Sequence, residues 1–272
     1  VGIHIRRVKR ENDLLARLRS LSDHEFFLQY QPQVRPADGQ MTGCEALIRA
    51  RDSHGENLLP GLFLDAFEHA GMSREIDLWV MEHAVRQARA WSDSGTTIVV
   101  SVNISAESLE DPGMVARMQA LIAEARGHIH IEVTERALAS DGAEVVAALH
   151  SLRDAGADIL IDDFGTAYSS LSYLHRYPID GIKIDRSFVL ALSEARGQAV
   201  FSALISLARQ LDLQVIVEGV ETQDQLEHVP KDIRTSVQGW YYARALDAAE
   251  IPPLRAGAHG GGMAPLRSTI NP

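Results

Sequence analysis

The 272-residue chain has one cysteine, Cys44. A single thiol excludes an internal disulfide and points to a reducing compartment, so the domain is expected to be cytoplasmic. No apolar run approaches the ~20 residues of a membrane-spanning helix, and no signal peptide is visible. Basic residues are in deficit: 26 Lys and Arg against 37 Asp and Glu leave a formal charge of −11. That balance argues against a DNA or RNA polymer held by bulk electrostatics. It leaves room for a small phosphate ligand held through a metal. The P-loop, the dinucleotide GxGxxG fingerprint and HExxH are all absent, and no fixed-period repeat occurs. The chain opens on Val1 rather than methionine. It is therefore expected to be a piece of a longer protein, whose upstream part could carry a sensor or a membrane anchor.

What is present is an alternation of apolar runs and helical patterns. Strands are expected at 26–34, 43–50, 97–105, 128–135, 157–163, 180–185, 213–219 and 235–239. Helical periodicity occupies 73–93, 111–126, 141–155, 187–212 and 222–229, with Ser73, Ser140 and Thr222 as candidate N-caps. Only "RPADGQMT" separates the first two strands, and Asp38-Gly39 is a hairpin turn signal. A parallel crossover needs a dozen residues or more, so strand one should run antiparallel to strand two. The expected fold is a (β/α)8, TIM-like barrel with its first strand antiparallel. Residues 1–23 read as a lead-in helix or linker, 24–255 as the barrel domain and 256–272 as a glycine-rich flexible tail. Leu14, Leu15, Leu18 and Leu21 share a face of the lead-in helix. Docking on the domain, a membrane-surface position and a link to an upstream domain all fit that pattern.

Period two sorts the strand residues into faces. Glu45, Leu47 and Arg49 share one face; Ser101, Asn103 and Ser105 another; His130, Glu132 and Thr134 a third. Lys183 and Asp185 oppose Ile182 and Ile184. The apolar sets suit surrounding helices, which leaves the polar sets inside the barrel, where an isolated charge is costly. Asn103, Glu132, Asp162, Lys183, Glu218 and Gln238 all fall late in their strands. That end is where barrel enzymes build their sites. One polar strand end is ordinary capping, whereas six together point to a site. Several carboxylates around one lysine and one arginine leave an excess of negative charge. Oxygen ligands of this kind suit Mg²⁺ or Mn²⁺, and two such ions bridged by a carboxylate would suit phosphoester cleavage.

Glu45-Ala46-Leu47 with Ile48-Arg49 resembles the signature of the EAL family of bacterial cyclic di-GMP phosphodiesterases. "YQPQV" (30–34), "VNIS" (102–105), "EVTE" (132–135), "DDFGTAYSSL" (162–171), "IKIDRSFV" (182–189), "VEGVET" (217–222) and "QGWYYARAL" (238–246) resemble the family's blocks in order, over about 24–250. The resemblance implies cyclic di-GMP bound at the C-terminal rim with two divalent ions, Mg²⁺ or Mn²⁺. Glu45, Asn103, Glu132 and Asp162 would hold one ion. Asp162 would bridge to a second held with Asp163 and Glu218. Lys183 would steady the attacking water, and Glu218 is the family's candidate general base, a role that competes with direct ligation. Gln31, Glu45, Leu47, Arg49, Asp185 and Gln238 would line the substrate, with Arg49 on a phosphate. Glu135, grouped with the catalytic residues, would tie down the loop after Asp163 through Ser169. The implied reaction is in-line attack on phosphorus that opens one ring bond to give linear pGpG. A homodimer formed near the 162–175 loop is a further implication. The alternative is a catalytically weak or inactive receptor of the same type, which signals by binding.

Ala167 stands where the family usually has glycine. If the position needs positive φ, alanine costs roughly 1–2 kcal/mol. That would slow a loop step without deleting a ligand. Residues 50–53 and Ala245 also depart from the family pattern, with no catalytic ligand lost. Cys44 lies opposite Glu45 with no base beside it and reads as a buried structural thiol. His128 and His130 open their strand, at the end away from the site, and read as packing or surface. Trp240 and Tyr241 could stack on guanine, but aromatics just past a strand are more often core.

The doublet Asp162-Asp163 poses a geometric question, because neighbours in a strand face opposite ways. Both can serve one site only if the strand stops there, and Phe164-Gly165 is the expected stop.

Overall fold

The computed structural model describes residues 26–51, 55, 57–58, 60–125, 128–138, 142–166 and 174–257. The lead-in segment, the tail beyond 257, Ser140, Ala167 and Ser169 lie outside them. Strands β1 (Phe26–Val34), β2 (Met41–Arg51) and the two-residue β3 (Asn57–Leu58) come first, followed by helices α1 (Pro60–His69) and α2 (Ser73–Asp93). Then come β4 (Val99–Asn103), α3 (Ala106–Leu109), α4 (Pro112–Ala125), β5 (Ile129–Thr134), α5 (Glu135–Leu138), α6 (Ala143–Asp154) and β6 (Asp158–Phe164). The chain continues through β7 (Gly181–Ile184), α7 (Arg186–Leu190), α8 (Ala195–Gln210), β8 (Gln214–Glu218), α9 (Gln223–Glu227), β9 (Thr235–Gln238) and α10 (Ile251–Gly257).

The strands run in the order β1-β9-β8-β7-β6-β5-β4-β2, and β1 pairs again with β2 to close an eight-stranded barrel; β3 only extends the edge of β2. β1 is antiparallel to both neighbours, and every other barrel pair is parallel. The reversal follows from the tight turn at 35–40. Gly39 takes φ 68, its N–H donates to Arg35 O at 2.8 Å, and Asp38 Oδ1 accepts from Gln40 N at 3.0 Å. All eight expected strands form. Outward residues such as Val102, Ile131, Ile161, Ile182, Val215 and Val237 are fully buried. Helices cover them, including α2 through Ile76 and Val80, α4 through Met118 and Ile122, and α8 through Phe201 and Ile205. Each such side chain contributes roughly 1.5–3 kcal/mol by leaving water.

Three helix expectations need correction. Gly142, not Ser140, holds the N-cap position of α6. Ser73 is the first helical residue rather than the cap. Met72 holds the N-cap position and offers no side-chain bond, because Gly71 at φ 67 and the bond from Met72 N to Phe67 O set the turn between α1 and α2. The 187–212 pattern is two helices. After a 3-10 turn over Ala191–Ser193, Glu194 is extended (φ −112, ψ 138) and the chain restarts as α8. Gln198 secures the break by donating to Leu192 O at 2.8 Å. Thr222 caps α9 as expected, in a capping box with Gln225. Among the described residues no helix is long and apolar enough to cross a membrane.

Candidate active site

The strand alternation delivers Glu45, Ser101, Glu132 and Lys183 to the buried barrel interior, whereas Ser105 and Asp185 lie just past β4 and β7 and cap α3 and α7 instead. Lys183 is 1% exposed, and its ammonium touches four carboxylates: Glu132 Oε2 at 2.7 Å, Glu218 Oε1 at 2.8 Å, Asp162 Oδ1 at 3.0 Å and Glu45 Oε2 at 3.5 Å. Lys183 sits on β7 and its four partners on β5, β8, β6 and β2, so one ammonium gathers carboxylates from four other strands. Asn103, the last residue of β4, donates to Glu45 Oε1 at 2.7 Å. Gln238, the last residue of β9, donates to the other oxygen, Glu45 Oε2, and to Gln31 Oε1 at 3.4 Å. Glu45 is thereby clamped from three sides.

Electrostatics follow from that crowding. Burial disfavours the Lys183 charge, but Glu132, Glu218, Glu45 and Asp162 outweigh it and hold its pKa well above the ordinary value. Burial pushes Glu132 well above the ordinary carboxylate range, and the charges of Glu45 and Asp162 add to the shift against the pull of Lys183. Burial likewise pushes Glu218 up to about 7. Asp163 is raised by burial and then by Asp162 and Asp185.

The Asp162-Asp163 doublet solves its geometry differently from the expected strand stop. β6 continues through Phe164, but Asp163 adopts φ 53, and the register with β7 slips between Ile161 and Phe164. This irregularity turns Asp163 so that its carboxylate joins Asp162 and Glu218, with one oxygen of each inside 4.8 Å of the others. Gly165 follows at φ 92, and a Cβ there would meet the Phe188 ring at 2.7 Å. Glycine is required on both counts.

Do these residues fit divalent ions? The donor set is all oxygen. Glu45, Glu132, Asp162, Asp163 and Glu218 carry five formal charges against the one of Lys183. Among the described residues Glu132 Oε1 is buried with no hydrogen-bond partner, which a cation would supply. The residues fit: Asp162, Asp163 and Glu218 each bring an oxygen within 4.8 Å of the others, while Glu45, Glu132 and Asp162 converge on the Lys183 ammonium.

Other expected site residues stand further from Lys183. Leu47 is half-buried on β2, two residues beyond Glu45 on the same face. Arg49 is half-buried and donates to Gln29 Oε1 at 3.1 Å and to Ile48 O at 3.0 Å. Asp185 caps α7, with Oδ1 accepting from Ser187 N at 2.9 Å. Gln31 donates to Ala243 O at 3.3 Å. Glu135 is buried at the start of α5, directly after β5, and its expected partner Ser169 is outside the described residues. Cys44 is fully buried on the far face, where burial holds its thiol far above the usual range. His130 lies at the lower end of the barrel, 3.3 Å from Asp158. Trp240 is exposed under the Arg244 guanidinium at 3.8 Å.

Sequence reasoning missed Gln33, which is buried and donates to Gln238 Oε1 at 3.0 Å. Its signal was available, since Gln29, Gln31 and Gln33 share one face of β1. It also missed Arg186, which pairs with Glu221 at 2.9 Å. The stem of Arg186 lies so close to Gly219 (φ 69) that a Cβ there would meet its Cγ at 2.2 Å. That packing fixes the chain just after Glu218.

The fold and site together define a (β/α)8-type barrel with a reversed first strand and an acidic, lysine-centred rim. Residues 14–245 match the family model described as "EAL domain", and the chain belongs to that family. The cyclic di-GMP phosphodiesterase NbdA of Pseudomonas aeruginosa is 35% identical over 254 residues, covering 92% of this chain and 32% of that protein. The bifunctional diguanylate cyclase/cyclic di-GMP phosphodiesterase MucR of the same organism is 37% identical over 237 residues, 85% of this chain and 35% of that one. The chain thus spans about a third of the length of these curated relatives. The solved c-di-GMP complex of the PaMucR phosphodiesterase matches with a TM-score of 0.81 at 36% identity, covering 88% of this chain and 99% of that one. The EAL enzyme Bd1971, in its cAMP- and cyclic-di-GMP-bound form, matches with a TM-score of 0.83 at 31% identity over 93% of this chain and 69% of that one.

Proposed function

We propose that this chain hydrolyses cyclic di-GMP to linear pGpG. What supports the reading is the Lys183-centred cluster, in which Glu45, Glu132, Asp162 and Glu218 meet one buried ammonium and, among the described residues, Glu132 Oε1 has no hydrogen-bond partner. Two Mg²⁺ or Mn²⁺ ions, held by Glu45, Asn103, Glu132 and Asp162 and by Asp162, Asp163 and Glu218, would supply charge neutralisation and acidify water at neutral pH. The residues then have these roles. Lys183 holds Glu132, Glu218 and Asp162 in register and orients the attacking water. Glu218 accepts that water's proton in the arrangement in which it does not ligate an ion directly, since the two roles compete. The water oxygen bonds to phosphorus as the bond to one ribose 3′-oxygen breaks, that oxygen takes up a proton from solvent, and the ring opens to pGpG. Arg49, Gln31, Leu47, Asp185 and Gln238 line the substrate, and Glu135 positions the loop after Asp163.

The test is incubation with cyclic di-GMP and Mg²⁺ or Mn²⁺, with chromatography for pGpG. Glu45→Ala and Asp162→Ala should abolish turnover. Ala167, where the family usually has glycine, favours a second reading: a weakly active or inactive receptor that signals by holding cyclic di-GMP. Binding without turnover in either metal would establish that reading, and absence of binding would refute both. The chain is further proposed to act as a cytoplasmic homodimer, with any membrane attachment made through an upstream segment of a longer protein.

A further inference from the structure

Asp77 lies on α2, outside the barrel and away from the cluster, yet it is 9% exposed and carries three hydrogen bonds on one oxygen. Its Oδ2 accepts from Ser105 N at 2.8 Å, Ser105 Oγ at 2.6 Å and Ser108 Oγ at 2.7 Å. Burial raises the Asp77 carboxyl to about 6, against the pull of these donors. A buried acid whose described hydrogen-bond partners are neutral donors is an expensive way to join a helix to a loop. The position of that loop explains it. β4 ends at Asn103, and Ser105 follows in extended backbone (φ −76, ψ 158) as the cap of α3.

Asn103 is exposed, and the described hydrogen bond of its side chain is the one to Glu45. Its place is set by the chain on either side. Upstream, the ladder with β5 holds it opposite Glu132, and Ile104 N donates to Glu132 O at 2.9 Å. Downstream, the tie is Ser105 to Asp77. We propose that Asp77 is a positioning residue for the ion site: through Ser105 it fixes the end of β4 and so aims Asn103. The inference rests on the reading of Asn103 as a metal ligand. Outer residues that orient a ligand typically change metal affinity 10–100-fold when removed.

The test is calorimetric titration of the metal-free chain with Mn²⁺ alone, so that turnover is not the readout. Asp77→Ala should weaken binding about tenfold. Asp77→Asn should stay within about threefold of wild type, because its carboxamide oxygen accepts the same bonds. In an Asn103→Ala background, Asp77→Ala should change the affinity less than about twofold, since the ligand it positions is gone. A wild-type affinity in Asp77→Ala overturns the proposal. So does a tenfold loss that persists undiminished beside Asn103→Ala, which would mean that Asp77 acts elsewhere. If Asp77→Ala does not fold, Ser105→Ala takes its place in the cycle. Loss of affinity that vanishes with Asn103→Ala supports the proposal, and unchanged affinity overturns it. A wild-type chain that binds no Mn²⁺ overturns the metal reading and this inference together, whereas failure of the cycle alone leaves the metal reading standing.

Discussion

Replacing Lys183 with methionine is the sharpest probe of the site. Methionine keeps the apolar stem and removes the charge. In the native chain the ammonium is 1% exposed and lies 2.7, 2.8, 3.0 and 3.5 Å from four carboxylates. Deleting one partner of a buried ion pair costs about 3–5 kcal/mol. Here it leaves four carboxylates facing one another, so the loss should reach that range even after some of them take up protons. For a domain of this size 1 kcal/mol moves the melting temperature about 2–4 °C, so Lys183→Met should melt roughly 6–20 °C lower in EDTA. Divalent ions should then restore more stability to the variant than they add to wild type. They replace the missing positive charge and bind the folded state only. Circular dichroism melts of both proteins, in EDTA and with saturating Mn²⁺, measure all four states. A variant that melts within about 2 °C of wild type in EDTA, or that gains no more from Mn²⁺, would show that the cluster is not held by this ammonium.

Glu218 makes a pH prediction. Its carboxyl titrates near 7 when folded, against an ordinary value of 4.5. A raised acid contributes stability that is full below the unfolded value and lost as pH rises through the folded one. The metal-free chain should therefore lose stability between pH 4.5 and about 7, and Glu218→Gln should flatten that slope; parallel melting profiles in EDTA would refute the assignment. Asp163→Gly should exceed Asp163→Ala in stability by about 1 kcal/mol, because both lose the carboxylate and only alanine bears the left-handed strain; equal urea midpoints would deny it. Ala167→Gly should raise the rate of pGpG release, and an unchanged or lower rate would remove strain at that position as the limit on turnover.

Much of the barrel was legible along the chain. The period-two alternation on β2, β4, β5 and β7 assigned Glu45, Ser101, Glu132 and Lys183 to the interior before any pairing was known, and the Asp38-Gly39 turn implied the reversed strand. Boundaries set by contact were less legible. Ser73 looks like a cap, but the turn at Gly71 starts the helix one residue earlier in register. One helical pattern runs through 187–212 because apolar periodicity survives the extended residue Glu194 that breaks it. Gln33 shares a face with Gln31, yet nothing local says that it meets Gln238, 205 residues away.

By itself, then, the sequence determined which strand residues face inward, which strand ends carry carboxylates and amides, and that negative charge would exceed positive. Those are consequences of periodicity and composition, which need no partner. Only the tertiary structure decided that one ammonium touches four carboxylates from four other strands. It also decided that Asp163 joins Asp162 through a register slip at φ 53, and that Asp77 reaches across from α2 to hold the end of β4. Contacts between distant segments depend on barrel closure, and closure places side chains to within an ångström, a precision that spacing along a chain does not carry.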